Sequence, residues 1–343
     1  MKNLVGNPEV KAALLRQFER KRIPNALLFA GPDGVGKKQF ALELARMFVC
    51  ASRTPAGACD ECAACRRVDS FSFPTSDKGD DYDRVFFSQH PDVGLVIPFK
   101  RNLRVGAIRE LEREANFRPY EATARIFIVE NADKMNDAAS NALLKTLEEP
   151  PSTSHIILIA ARPDHLLQTI RSRTQIMRFA PVPAREIEKV LIEKGEFSPD
   201  DAELASRVSG GSIGRALEIV PASFRTQRST MLGVLHGLAA GDRRPLLAAS
   251  EEMNDARYKE EFEPKLEILR GLIHDIWLLN NGGDRSELLN IDLVEELAPL
   301  AEQLRSRSLA SWLADIETMY ENFAVNINRK VATDALFIGM AAG

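Results

Sequence analysis

Gly31-Pro32-Asp33-Gly34-Val35-Gly36-Lys37 is a glycine-rich turn closing on a lysine, and the apolar run Ala26–Ala30 leads straight into it. In this G-x-x-x-x-G-K pattern backbone N–H groups and a helix start cradle phosphates, while the lysine reaches the outermost ones. The pattern alone is weak, but the setting supports it: Phe40, Ala41, Leu44, Ala45, Phe48 and Val49 follow at helical spacing. Candidate phosphate contacts are therefore Gly31, Gly34, Gly36 and Lys37. The next position departs from the pattern. A Ser or Thr there supplies the hydroxyl that holds Mg²⁺, and this chain has Lys38. An ammonium cannot ligate a cation, and it competes for the same phosphate oxygens. The expectation is a nucleotide-binding fold that has lost its hydrolytic chemistry, with no Mg²⁺ and with ATP binding by the loop left open.

Two further positions carry the same loss. The strand-like run Arg125-Ile126-Phe127-Ile128-Val129 ends in Glu130-Asn131, where a working ATPase presents one carboxylate for Mg²⁺ and a second to activate water. Asn131 cannot accept a proton. Ala160 and Ala161 stand at the end of the next apolar run, where a polar residue would orient the attacking water.

All four cysteines of the chain, Cys50, Cys59, Cys62 and Cys65, fall in one short stretch. Thiolates at x₂ spacing sit on tight turns and converge on one ion, and in a reducing compartment this favours metal over disulfide. Four sulfurs fill a tetrahedral Zn²⁺ shell with no open position, so the expected site is structural. An iron–sulfur cluster or plain buried thiols are the alternatives; the upstream position of the fourth cysteine weakens the cluster. Lys100, Arg101 and Arg104 precede a helix, against the dipole preference. They read either as a solvated loop or as contacts to nucleic-acid phosphates. No Ser/His/Asp or Cys/His set is present, and the five histidines are scattered.

The elements that position these groups are legible in outline. A helix is expected over 7–22, then the phosphate-loop strand and its helix. Strands follow at 93–97, 125–129, 156–161 and 175–179, with helices between, including one at 138–147 that Pro150 and Pro151 stop. The expected architecture is an α/β fold with a five-stranded parallel sheet. Ser70–His90 has no clean period and reads as a long surface loop. Beyond Pro181 the pattern is helical, with stripes best explained by helix–helix packing: one helix after Pro264, others over 286–301 and 303–326, and a last one ending at Met340.

At 343 residues the chain has room for two or three domains. A net charge of −4 and an isoelectric point near 5.9 argue against a free-standing nucleic-acid binder. No apolar run suits a membrane span and no signal peptide is read at the start, so a cytoplasmic location with no membrane partner is expected.

Several motifs together carry a family resemblance: Gly31–Lys38, the cysteines after its helix, His90-Pro91-Asp92 and Glu130-Asn131-Ala132-Asp133-Lys134-Met135. Asn141-Ala142-Leu143-Leu144-Lys145-Thr146-Leu147-Glu148-Glu149-Pro150-Pro151 and Arg171-Ser172-Arg173 complete the set. Over residues 3–217 the chain resembles the bacterial clamp-loader AAA+ ATPases and, within them, the delta-prime subunits of DNA polymerase III. A weaker match covers Asn326-Ile327-Asn328 and the final helix.

The resemblance implies an AAA+ core over 1–180 with an inserted zinc-binding module at 50–65, a small helical lid over 181–220, and an all-α collar over 221–343. It also implies a place in a ring with gamma/tau motor subunits and a delta subunit, which opens the sliding clamp and loads it on primed DNA. In that ring the chain would not be an enzyme by itself. It would present Ser172 and Arg173 to a neighbour's ATP, Arg173 as an arginine finger in trans. Thr174 replaces the usual cysteine, and the lid arginine that senses nucleotide falls at Gly214, with Arg215 one place on. The 70–90 segment is longer than usual. The competing readings are an active AAA+ motor of the same assembly, which the losses at Lys38, Asn131, Ala160 and Gly214 oppose, and a zinc module that grips nucleic acid unaided, which the acidic balance opposes.

Overall fold

The computed structural model describes residues 1, 3–322 and 328–342. Helix α1 (Pro8–Glu19) leads into β1 (Ala26–Ala30), and α2 (Lys37–Val49) starts directly after the glycine turn. The short α3 (Ala63–Arg67) carries the last cysteine, and β2 (Phe86–Phe87), β3 (Val93–Val96) and α4 (Val105–Ala115) follow. Then come β4 (Arg125–Val129), α5 (Asp137–Glu148), β5 (Ser154–Ala160), α6 (Gln168–Arg173) and β6 (Gln175–Arg178).

The five expected strands are present and mutually parallel. The sheet is nonetheless six-stranded, in the order β2-β3-β4-β5-β1-β6, because Phe86–Phe87 adds an antiparallel edge to β3. Two residues show no period, which is why this strand is invisible in the sequence. The segment read as a surface loop is also partly ordered by aromatic packing: Phe71, Phe73, Phe86, Tyr82 and Phe99 meet ring to ring at 5.0–6.1 Å.

β1, β3, β4 and β5 are buried at every position, as parallel strands covered on both faces must be. Side-chain alternation sorts them into two layers. Leu27, Phe29, Ile126, Ile128 and Ile157 pack with α1 and α2; Leu28, Phe127, Val129, Ile156 and Leu158 pack with α4 and α5. Each such side chain contributes roughly 1.5–3 kcal/mol of transfer free energy. Because the strands are parallel, the ends of β1, β4 and β5 deliver Gly31, Glu130 and Ala161 to one edge of the sheet.

The remaining described helices are α7 (Ala184–Lys194), α8 (Pro199–Val208), α9 (Ile213–Glu218), α10 (Pro221–Ala240), α11 (Arg244–Asn254), α12 (Phe262–Asn280), α13 (Val294–Gln303), α14 (Ser306–Asn322) and α15 (Arg329–Ala342). The helix expected over 286–301 is shorter: 3₁₀ turns occupy Arg285–Glu287 and Ile291–Leu293. There the buried Asp275 carboxylate accepts from the backbone N–H groups of Leu289 and Asn290, a cap that competes with helix. The helix expected over 303–326 runs from Ser306 to Asn322, and residues 323–327, with Asn326-Ile327 of the resembling motif, lie outside the described residues. No described helix is long and apolar enough to cross a membrane.

The chain packs as two compact units, Met1–Ile187 with Gly211–Arg215, and Glu188–Gly210 with Ala216–Gly343. Within the second unit α8 is tied to the helices that follow. Asp201 pairs with Arg225 at 2.7 Å, and Arg207 donates to the Ser286 and Leu288 carbonyls. Its core gathers Leu235, Leu266, Ile273, Leu297, Trp312 and Phe337.

Candidate functional site

The phosphate loop takes its shape from glycine backbone. Gly31 has φ +154, and a Cβ there would lie 2.3 Å from the Phe179 carbonyl oxygen. Gly34 has φ +74, and a Cβ would meet the Ser212 hydroxyl at 1.9 Å. Neither position admits a side chain. Segment 211–215 lies on the loop, with the Gly214 N–H donating to the Gly34 carbonyl at 3.0 Å. Gly214 thus touches the loop through its backbone.

Lys37, only 4% exposed, folds back on its own turn. Its Nζ donates to the Gly31 and Pro32 carbonyls at 2.5 and 2.6 Å and lies 3.8 Å from Asp33 Oδ1. Burial lowers its pKa, while Asp33 and Asp133 pull it back up. Lys38 reaches the end of β4, where its Nζ lies 2.6 Å from Glu130 Oε1. The ammonium therefore sits on the one carboxylate of this edge that a metal would use. Asp133 is also engaged, accepting the Ala161 N–H at 3.2 Å. Mg²⁺ does not fit these residues: its hydroxyl ligand is absent and its carboxylate is neutralised from within.

The four cysteines converge. Their sulfurs all lie within 4.8 Å of one another, with Cys59 and Cys65 Sγ 4.0 Å apart. In a tetrahedral shell with Zn–S bonds of about 2.3 Å the sulfurs lie about 3.8 Å apart, so the cluster fits a metal ion. Backbone N–H groups of Cys59, Cys62 and Cys65 donate to the sulfurs of Cys50, Cys59 and Cys62 at 3.4–3.5 Å. The Cys65 N–H holds the Cys62 thiol down to about 6, while burial pushes Cys50 and Cys65 up. Cys50 and Cys65 are buried, which suits a site that stabilises rather than reacts.

Arg173 ends α6 beside the edge strand β6. Its guanidinium is paired with Glu148 Oε1 at 2.8 Å, donates to the Thr169 carbonyl at 3.1 Å, and stays 35% exposed. Ser172 Oγ donates to the same carbonyl, and Arg171 pairs instead with Asp164. Lys100 stacks over the Phe99 ring at 5.1 Å, and Arg101 is exposed beside it. Arg104 is held by Asp80 and Asp83, each at 2.8 Å.

Sequence reasoning missed the partners of these residues. Glu148 lies in a quoted motif and Asp80–Asp83 in an acidic run, yet nothing in the chain order says that they meet Arg173 and Arg104. Asp92 of His90-Pro91-Asp92 proves to be a backbone anchor, accepting the N–H groups of Tyr120, Glu121 and Ala122 at 2.7–2.8 Å.

A mostly parallel sheet with a glycine-rich phosphate-loop turn after β1 and an acidic strand end beside it is the fold of a P-loop protein of the AAA+ type, with Lys38 where the pattern places a Ser or Thr. Residues 6–183, just over half of the chain, match the family model described as "DNA polymerase III, delta subunit", and the chain belongs to that family. It is 27% identical over 338 residues to the DNA polymerase III subunit delta′ of Bacillus subtilis, covering 98% of this chain and 96% of that one. It is 29% identical over 327 residues to the delta′ subunit of Escherichia coli, covering 94% and 91%. A gamma/tau subunit from Mycobacterium bovis is 32% identical over 222 residues, covering 63% of this chain and 36% of its own.

Proposed function

We propose that this chain is a non-hydrolysing delta-prime-type subunit of the DNA polymerase III clamp loader, which completes a neighbouring motor's ATP site with Arg173. It would assemble in the cytoplasm with gamma/tau and delta subunits to load the sliding clamp on primed DNA. The observation that carries the reading is the 2.6 Å contact between Lys38 and Glu130, an internal ammonium on the carboxylate that a magnesium ion would need. Asn131 supplies no base at the position where the pattern places the carboxylate that activates water.

Arg173 suits a role in trans. A guanidinium stays charged at any working pH and presents a planar fork, so it meets charge developing on a transferring γ-phosphoryl group. Glu148 and the Thr169 carbonyl hold it at the end of α6, which limits the rotamers lost when a neighbour's nucleotide arrives. The four cysteines are proposed to hold one structural Zn²⁺ that fixes the segment after α2. Lys100, Arg101 and Arg104 are proposed to meet DNA phosphates inside the ring, Arg104 by exchanging Asp80 and Asp83 for them.

The test is Arg173→Ala in a reconstituted ring, with Arg171→Ala as control. The variant should assemble normally, and removal of such a finger slows the affected site by roughly 10³–10⁵. Only one motor site faces this subunit, so total DNA-stimulated turnover should fall partially while Arg171→Ala changes little. Wild-type turnover and clamp loading by the Arg173→Ala ring would show the assignment to be wrong.

A further inference from the structure

The C-terminal end of α1 carries a feature that neither the phosphate loop nor the arginine finger uses. Arg16, Gln17 and Arg20 fall on one helical face with Ala13, at spacings of three, four and seven residues. The helix closes with Lys21 in the left-handed region, φ +52. The Lys21 N–H donates to the Phe18 carbonyl at 2.9 Å and the Arg22 N–H to the Gln17 carbonyl at 2.8 Å. This paired closure usually has glycine at the left-handed position and an apolar contact between the two outer positions. Here those places hold Lys21, Arg22 and Gln17. The wrap brings Arg22 back beside Arg16 and Arg20, and Ala13, Arg16, Gln17, Arg20 and Arg22 line a cavity of about 330 Å³.

Basic residues at a helix C-terminus are favourable in themselves, so the cluster alone says little. Two further facts point outward. Among the described residues, none of Arg16, Arg20, Lys21 and Arg22 has an ion-pair partner, whereas Arg46, Arg67, Arg104 and Arg173 are all paired. Gln17 Oε1 is buried with no hydrogen-bond partner. Three forked guanidiniums on one cavity present more charge and more donors than a single carboxylate can use. The Gln17 oxygen calls for a donor, which a sugar hydroxyl of nucleic acid or the P–OH of a partly protonated terminal phosphate supplies.

We propose that this cavity binds a phosphate group, presented either by nucleic acid or by a free polyphosphate. The site lies at the start of β1, a strand's length of roughly 15 Å from the phosphate loop at its other end. The inference concerns the chain by itself and stands apart from its role in a ring.

The experiment follows fluorescence anisotropy of labelled oligonucleotides, with and without a 5′-phosphate, on the full chain across a salt series. Arg16→Gln/Arg20→Gln/Arg22→Gln should weaken binding about 10-fold or more at low salt and reduce the salt slope by about 1–3. These side chains are exposed, so the fold should tolerate their loss, and an unchanged circular-dichroism melt checks this. Arg185→Gln/Lys189→Gln, exposed on α7 and outside this cavity, serves as a separate basic control and should bind like wild type. Competition by pyrophosphate at equal phosphate concentration assigns the site to free polyphosphate; preference for the oligonucleotide assigns it to nucleic acid. The proposal is overturned if wild type binds neither probe at low salt or the triple variant binds like wild type. It is also overturned if polyglutamate competes as well as pyrophosphate, because the ligand would then be an acidic polypeptide.

Discussion

Lys38→Thr puts the reading of the nucleotide edge at risk most directly. The substitution removes the ammonium from Glu130 and restores a hydroxyl where the phosphate-loop pattern places its magnesium ligand. The ion pair at 2.6 Å has a Coulomb energy of roughly 1.6 kcal/mol in a water-like dielectric and about 6 at an effective value of 20. Its side chains are 41% and 22% exposed, so solvent screening reduces the net contribution to about 0.5–1 kcal/mol. The thermal midpoint should therefore drop by only about 1–4 °C. The functional change should be larger. With Glu130 released, ATP affinity should become at least about 10-fold tighter in Mg²⁺ than in EDTA, equivalent to about 1.4 kcal/mol. Wild type should show no such preference, because Lys38 occupies the carboxylate. Lys38→Met, which breaks the pair without supplying a hydroxyl, should show none either. Nucleotide fluorescence titrations of the three proteins with and without Mg²⁺ decide the matter. Equal affinity of Lys38→Thr in both conditions would refute the argument, as would magnesium-enhanced binding by wild type.

Hydrolysis should stay negligible in both wild type and Lys38→Thr, because Asn131 and Ala160 remain; steady phosphate release abolished by Lys37→Ala would contradict this. Cys62→Ser, or chelation, should lower a metal content of one zinc per chain and shift the melting of the N-terminal unit down by roughly 4–8 °C, a loss of about 2 kcal/mol; metal analysis that finds iron, or no metal, removes the site. Burial lowers the pKa values of His90 and His155 below the ordinary 6.5, so acidification protonates the unfolded chain first. Stability should be full above about pH 6.5 and decline as pH falls through the folded values, with a shallower decline in His155→Gln. Equal urea midpoints for wild type at pH 7.5 and 5.5 would count against that account.

Much of the site was legible in the sequence because its chemistry is local. Glycines at 31, 34 and 36, the cysteine spacing and the replacements at Lys38 and Asn131 are statements about neighbours on the chain, and short-range stereochemistry decides them. The buried strands were legible for a related reason: a strand covered on both faces must be apolar throughout, as Arg125–Val129 nearly is. The edge strand Phe86–Phe87 was not, since two residues carry no period and the pairing partner supplies the order. Tertiary structure alone decided which charges meet. Lys38 finds Glu130, Arg173 finds Glu148 and Arg104 finds Asp80 and Asp83 only because the packing of strands, helices and connecting segments brings distant parts of the chain together. The backbone closure after α1 belongs to both levels. Its basic residues stand in the sequence, but the left-handed turn at Lys21 is what makes them face one cavity, and a charge run in one dimension does not reveal whether it is a solvated face or a site. Composition fixes which charges a chain owns, and packing fixes which of them are neutralised from within.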